Sequence, residues 1–148
     1  MSLDGTYDND NIFAKILRGE IPCAKVYEDD DVLSFMDAFP QTRGHTLVIP
    51  KAPSRNLLDT DAEVLANLIQ KTQMIAKGVN VAFNPDGIVI TQFNGAPAGQ
   101  TVFHLHFHIL PRYAGGKMAV HASGKMADMD ELDHQATKIR ASLDKLET

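Results

Sequence analysis

Phe103-His104-Leu105-His106-Phe107-His108-Ile109-Leu110 is the stretch on which the reading of this chain turns. Histidine and apolar residues alternate in it, the period of a β-strand, in which successive side chains point to opposite faces. His104, His106 and His108 therefore share one face, and Phe103, Leu105, Phe107 and Ile109 share the other. The apolar face anchors a strand to a core. The histidine face packs poorly by comparison. With six histidines in 148 residues, three alternating within five positions point to chemistry rather than to a solvent-facing stripe.

Two chemistries compete. A His-x-His pair on a strand can present two imidazoles to a metal ion. His104 and His108 lie ~13 Å apart along a strand rising ~3.3 Å per residue, whereas a zinc–nitrogen bond is only ~2.0–2.1 Å. One ion does not take all three; two could bind, with His45 or a carboxylate completing the set. The preferred reading is nucleophilic catalysis. Neutral imidazole is abundant at neutral pH, its unperturbed pKa being ~6.5. One ring nitrogen can attack while the other donates to a backbone carbonyl that fixes the tautomer. A histidine nucleophile suits phosphoryl or nucleotidyl transfer, because the P–N bond it forms is labile to water and one hard displacement becomes two easier ones.

Outward from this stretch, the strand is expected to span Val102 to Leu110, after a Gly/Ala/Pro loop from Gly95 to Gly99 and a strand from Ile88 to Asn94. Asn84-Pro85-Asp86-Gly87 is a turn signal. Before it, Thr60-Asp61-Ala62-Glu63 reads as a capping box opening a helix through Val64, Leu65, Leu68, Ile69, Thr72, Ile75 and Ala76, with Gly78 as its stop. Further upstream are a strand from His45 to Ile49, a hairpin made of Val26-Tyr27 and Val32 to Met36 around Asp29-Asp30-Asp31, and a short helix capped by Asn11 and ended at Gly19. Downstream, Asp128 to Glu131 is a second capping box, followed by a stripe of Met129, Leu132, Ala136, Ile139, Leu143 and Leu146, expected to be core or dimer surface. About five strands in antiparallel connection with two to three helices make an α+β domain. It is expected to occupy residues 11–148, behind a disordered lead of residues 1–10.

The composition is that of an ordinary globular protein, 44% hydrophobic and 22% charged. A net charge of -5 with scattered Lys and Arg argues against a nucleic-acid partner, which calls for a basic patch. No run of ~18 apolar residues is present to span a bilayer, and the polar, acidic first ten residues lack the apolar stretch of a signal peptide, so the expected location is the cytoplasm. Cys23 is the only cysteine, which rules out an intrachain disulfide or a Cys-x-x-Cys pair.

The run His104 to Leu110 resembles the His-φ-His-φ-His-φ-φ signature of the histidine-triad family, φ being apolar. Other segments resemble the family's Hint branch in order and spacing: Ile12-Phe13-Ala14-Lys15-Ile16, Gly19-Glu20-Ile21-Pro22, Phe35-Met36-Asp37, Gly44-His45-Thr46-Leu47-Val48-Ile49-Pro50-Lys51 and Asn94…Gly99-Gln100-Thr101. Together they cover roughly residues 11–112. The resemblance implies a histidine-triad-type fold with a five-stranded antiparallel sheet, a homodimer joining two half-sheets, and a hydrolase that needs no cofactor or metal and cleaves purine nucleoside 5′-phosphoramidates through a nucleotidyl-histidine intermediate.

Carried onto this sequence, the resemblance makes His106 the nucleophile. It places His108 on the α-phosphate as an aid to the leaving group, with His104 and His45 as a polar shell orienting His106. Asp37 would hold the ribose hydroxyls, with Ala38 at the pocket wall. Asn94, Gly99, Gln100 and Thr101 would contact the phosphate and leaving group. Ile12, Phe13, Ile16 and Phe35 would form the slot for the base. Read without the resemblance, those four are core residues, Asp37 is a turn residue ahead of Pro40, Asn94-Gly95 is a turn, and His121 and His134 are exposed. Two departures stand out. Asn11 and Ala14 occupy the positions where some bacterial relatives carry a zinc-binding Cys-x-x-Cys, and Thr101 stands where many Hint proteins have serine. Two other activities share these histidines: dinucleoside polyphosphate hydrolysis, as in the Fhit branch, and nucleotide binding without turnover in a regulator.

Overall fold

The computed structural model describes residues 2–116 and 125–147. His121 lies outside them, whereas His134 is exposed as expected. Five strands, β1 (Lys25–Glu28), β2 (Val32–Met36), β3 (Thr46–Pro50), β4 (Gly87–Thr91) and β5 (Phe107–Arg112), form one antiparallel sheet in the order β1-β2-β3-β5-β4. With helices α1 (Ile12–Leu17), α2 (Ala62–Phe83) and α3 (Met129–Glu147), the architecture is the expected α+β.

Alternation along the strands divides the sheet into two faces. Val32, Met36, Val48, Phe107 and Ile109 join Leu68, Ile75, Val79, Leu132, Ala136 and Ile139 in the main core under α2 and α3. Leu33, Phe35, Leu47 and Ile49 gather on the opposite face with Phe13 of α1. His108, sandwiched in sequence between Phe107 and Ile109, points to this second, thinner face. The catalytic candidates therefore sit on the side that the two long helices leave uncovered.

The local signals hold at some positions and shift at others. Asn11 caps α1, its Oδ1 accepting from Ala14 N–H at 2.9 Å, and Gly19 follows the helix with a φ of 79°. Asp29 organises the β1–β2 turn by accepting from the N–H groups of Asp31 and Val32 at 2.8 and 2.9 Å. The Thr60–Glu63 box does not form. Thr60 donates its hydroxyl to Asn56 O at 2.6 Å, and the reciprocal box is made one turn earlier, between Asn56 and Asp59 around a 3-10 turn at Leu57–Asp59. Helix α2 starts after Asp61 without a side-chain cap. Nor does it stop at Gly78: it runs to Phe83 and ends on Asn84, in the left-handed region at a φ of 47°. A Cβ on Gly78 would lie 2.7 Å from Leu143 Cδ2, so this glycine lets α2 and α3 approach each other.

Helix α3 resolves the alternative left open for its apolar stripe. Leu132, Ala136, Ile139 and Leu143 are core, and Leu146 is exposed. The helix also reaches towards the histidines, because the buried Gln135 accepts from Gly44 N–H at 3.0 Å, immediately before His45. Residues 2–10 do not behave as a detached lead. Ser2 O accepts from Arg55 Nε and Nη2 at 3.2 and 3.1 Å, Leu3 O from Asn56 Nδ2 at 2.9 Å, and the Tyr7 hydroxyl meets His104.

Candidate active site

Strand β5 is shorter at its start than the alternation predicts. Its ladder with β3 ends at the Val48–Phe107 pair and its ladder with β4 at the Thr91–His108 pair. His104, Leu105 and His106 thus precede the strand, and Leu105 N–H bonds outside the sheet to Ser54 O at 2.8 Å. With no ladder beside them, His104 and His106 are held by this bond and by bonds from their own rings. All three triad histidines are buried, which departs from a face that packs poorly: His104 and His106 pack on Phe13, and His108 on His106 and Phe93.

The partners of each ring assign its tautomer. His106 Nδ1 lies 2.7 Å from His104 O. A carbonyl only accepts, so Nδ1 carries the proton and Nε2 carries the lone pair. His104 Nε2 is 2.8 Å from Pro50 O and its Nδ1 is 2.6 Å from the Tyr7 hydroxyl, which gives an Nε2–H donor and an Nδ1 acceptor. Burial holds the His104 pKa below the ordinary histidine value, against the Pro50 hydrogen bond and Asp59, which favours this neutral form. His45 Nδ1 accepts from Gln41 N–H at 3.0 Å, so its proton is on Nε2, facing His108 Nδ1 at 2.9 Å and Asp37 Oδ2 at 3.3 Å. His108 Nδ1 is thereby an acceptor, and His108 carries its own proton on Nε2.

The rings of His106 and His108 lie 5.0 Å apart, centroid to centroid. His106 is also the least buried of the four histidines, 5% exposed against 0–2% for the others. The two rings thus sit side by side, His106 with its lone pair on Nε2 and His108 with its proton on a buried Nε2.

Around this pair the structure distributes the other predicted residues unevenly. Phe13 packs edge-on against His106 at 4.9 Å and against Phe35 at 5.4 Å, with Ile16 in the same cluster. Phe13 and Phe35 are both buried, whereas Ile12 is 45% exposed. Asp37 joins the His45 end, its Oδ1 accepting from Phe39 N–H at 2.8 Å. Half-buried Ala38 follows it, its carbonyl accepting from Ala127 N–H at 2.8 Å.

In the loop after β4, Asn94 and Gln92 pair through their amides at 2.8 and 2.9 Å, and Asn94 Oδ1 also accepts from Leu57 N–H at 2.9 Å. Gln100 is buried, with its Oε1 on Gly95 N–H and its Nε2 on Arg55 O and Val102 O. Its side chain braces the loop from inside. Gly99, at a φ of 113°, leaves room where a Cβ would come 3.3 Å from the Phe93 ring. Thr101 is exposed.

Asp37, His45 and His108 offer three potential metal ligands within 4.8 Å of one another. The two imidazole nitrogens face each other along a hydrogen bond, however, and an ion bound to either would break it.

Several groups that shape the site carry no sequence signal: the Gln41 N–H that sets His45, the Phe93 ring 5.4 Å from His108, and the Tyr7 hydroxyl, inside the segment set aside as a lead. Arg55 is another. Its guanidinium stacks 4.5 Å over Phe103 and its carbonyl holds Gln100, bringing a cation near a stretch that has none between Asn94 and Arg112.

A HIT-domain family model matches residues 18–115. The chain belongs to the histidine-triad (HIT) family, and its relatives include Hint-like proteins. It is 46% identical over 105 residues to "Protein hit" of Bacillus subtilis, covering 71% of this chain and 72% of that one. It is 43% identical over 107 residues to "Adenylylsulfatase HINT3" of Arabidopsis thaliana, covering 72% of this chain and 54% of that one. Among solved structures, a Hit-like protein from Bartonella henselae described as involved in cell-cycle regulation, with an unknown ligand, superimposes with a TM-score of 0.88 at 54% identity, covering 93% of this chain and 99% of that one.

Proposed function

We propose that this protein is a nucleotide hydrolase that cleaves purine nucleoside 5′-phosphoramidates through His106. The observation that carries this reading is the 2.7 Å bond from His106 Nδ1 to His104 O, which leaves Nε2 as a lone pair on the most accessible of four linked imidazoles. In the first step Nε2 attacks the α-phosphorus, the P–N bond to the amine breaks, and the amine leaves with a proton taken from solvent. In the second, water attacks the phosphorus of the nucleotidyl-imidazolium, the bond to Nε2 breaks, the nucleoside monophosphate departs and a proton returns to solvent.

His108 acts in both steps by donating Nε2–H to an α-phosphate oxygen, where negative charge is greatest. Its Nδ1 accepts from His45, so giving up the Nε2 proton would leave an imidazolate. The tautomer therefore favours a hydrogen-bond donor over a proton source. Asp37 and Ala38 take the ribose side, and Ile12, Phe13, Ile16 and Phe35 the base side. Asn94, Gly99, Gln100 and Thr101 shape the loop on the phosphate side, Gln100 from within. The adenylylsulfatase among the relatives supports nucleotide hydrolysis as the kind of reaction. Arg55 is tied to Ser2 O and Phe103, an arrangement that favours a small amine over a long polyphosphate as leaving group.

The homodimer is proposed at the open edge of the sheet, where Val89 and Ile90 of β4 and Ile69 and Val81 of α2 are exposed. Pairing of β4 with its copy would join two half-sheets.

The test compares kcat/KM for adenosine and guanosine phosphoramidates and for diadenosine polyphosphates, with wild type and His106→Ala. The phosphoramidates should be the better substrates, and the variant should lose about 10³-fold or more in kcat while still binding nucleotide. Preference for the polyphosphates would overturn the leaving-group assignment, and near-wild-type turnover by the variant would overturn the nucleophile.

A further inference from the structure

The Tyr7 hydroxyl reaches the histidine chain from a segment that the proposed reaction does not use. It lies 2.6 Å from His104 Nδ1, and the two rings meet edge-on with centroids 5.7 Å apart. Because Pro50 O already claims the Nε2 proton of His104, Nδ1 holds a lone pair and the phenol must be the donor. Burial pushes the Tyr7 phenol above its ordinary value, and the Asn11 side chain only partly offsets this, so the proton to be donated is present at neutral pH.

We propose that Tyr7 is a positioning residue for the reaction: its O–H···Nδ1 bond clamps the His104 ring, and through it the His104 carbonyl that orients the nucleophile His106. The proposal rests on the reading of His106 given above. Its physical basis is the end of the ladder at Phe107. From His104 to His106 the backbone lies outside the ladder, fixed at Leu105 by its N–H on Ser54 O, and the His104 carbonyl must still hold the His106 Nδ1–H at 2.7 Å. The buried His104 ring is gripped at both nitrogens, by Pro50 O on one side and Tyr7 on the other. Without the hydroxyl, Nδ1 loses the bond that balances its burial, and the ring is free to turn or to admit water. Either change moves the carbonyl that sets the direction of the His106 lone pair.

The segment carrying Tyr7 is anchored as this role requires. Ser2 and Leu3 are tied through their carbonyls to Arg55 and Asn56. Leu3 also packs over Gly95, where a Cβ would come 3.3 Å from its Cγ. Asn11 fixes the other end as the cap of α1.

Tyr7→Phe in the full-length chain keeps the ring and removes only the donor. Two readouts test it: steady-state kinetics on a nucleoside phosphoramidate, and ¹⁵N shifts of the histidine ring nitrogens in the ligand-free protein. The expected result is a fall in kcat of about tenfold, the size of one net hydrogen bond, with KM unchanged. The His104 Nδ1 signal should move towards that of a nitrogen accepting no hydrogen bond, and the His106 signals should shift as well. Unchanged ring-nitrogen shifts would overturn the clamp whatever the activity. Changed shifts with unchanged kcat, or an effect confined to KM, would overturn the positioning role. The shifts are read without substrate, so loss of the nucleophile reading through His106→Ala is distinguishable from loss of this proposal.

Discussion

Each of the four site histidines is buried, and at His104 burial makes the charged ring costly. His104 and His45 each have one donor and one acceptor contact in the neutral form, His104 through Pro50 O and Tyr7, His45 through His108 Nδ1 and Gln41 N–H. Burial depresses the pKa of His104, with the Pro50 carbonyl and Asp59 opposing. A histidine whose pKa falls on folding binds its proton more readily in the unfolded chain. Stability is therefore unaffected well above the ordinary value of 6.5 and falls as pH drops below it, until the folded pKa is passed. Denaturant midpoints measured from pH 8 to 5 should be flat at first and then decline below about 6.5, with His104 in the folded protein protonating below that value by ¹⁵N shifts. A His104 that protonates at or above the ordinary value would contradict this account of the site.

At the scale of elements, Gly78 shows how a signal with a sound local basis can be overruled. Glycine weakens a helix interior, and a stop at that position is what the sequence suggests. The structure instead uses its missing side chain to bring α2 against α3 at Leu143. Gly78→Val should destabilise the fold by about 1–3 kcal/mol through overpacking; an unchanged denaturant midpoint would show that the helices adjust at no cost. The same contrast runs through the rest of the chain. Asn11 and the Asp29 turn are legible because their partners are two or three residues away. Thr60 misleads because Asn56, four residues back, competes for its hydroxyl. The early end of β5 is invisible to alternation, since it depends on where β3 and β4 cease to pair. The triad is legible because its spacing is local, whereas Tyr7 is 97 residues from His104 and Gln41 sets His45 through its backbone N–H.

For the whole molecule, the two long helices cover one face of the sheet and leave the other to α1, the N-terminal segment and the histidines. Helix α3 and the residues leading into it still contribute to the site at a distance, through Gln135 on Gly44 and through Ala127, just ahead of the helix, on Ala38, both contacts from a part of the chain whose role the sequence left open. The exposed edge at β4 carries the proposed dimer. Wild type should run as a dimer by light scattering, and Ile90→Lys, which places a charge on that edge, should shift it to monomer; a monomeric wild type would contradict this assembly. The claim on which everything else depends is that His106 Nε2 becomes covalently bonded to phosphorus. Rapid quench of wild type with an adenosine phosphoramidate, followed by mass spectrometry under conditions that preserve P–N bonds, tests it most directly. A nucleotidyl adduct on His106 that forms and decays within the turnover time is the expected result. Full turnover with no adduct at any time, or an adduct on another residue, would contradict it.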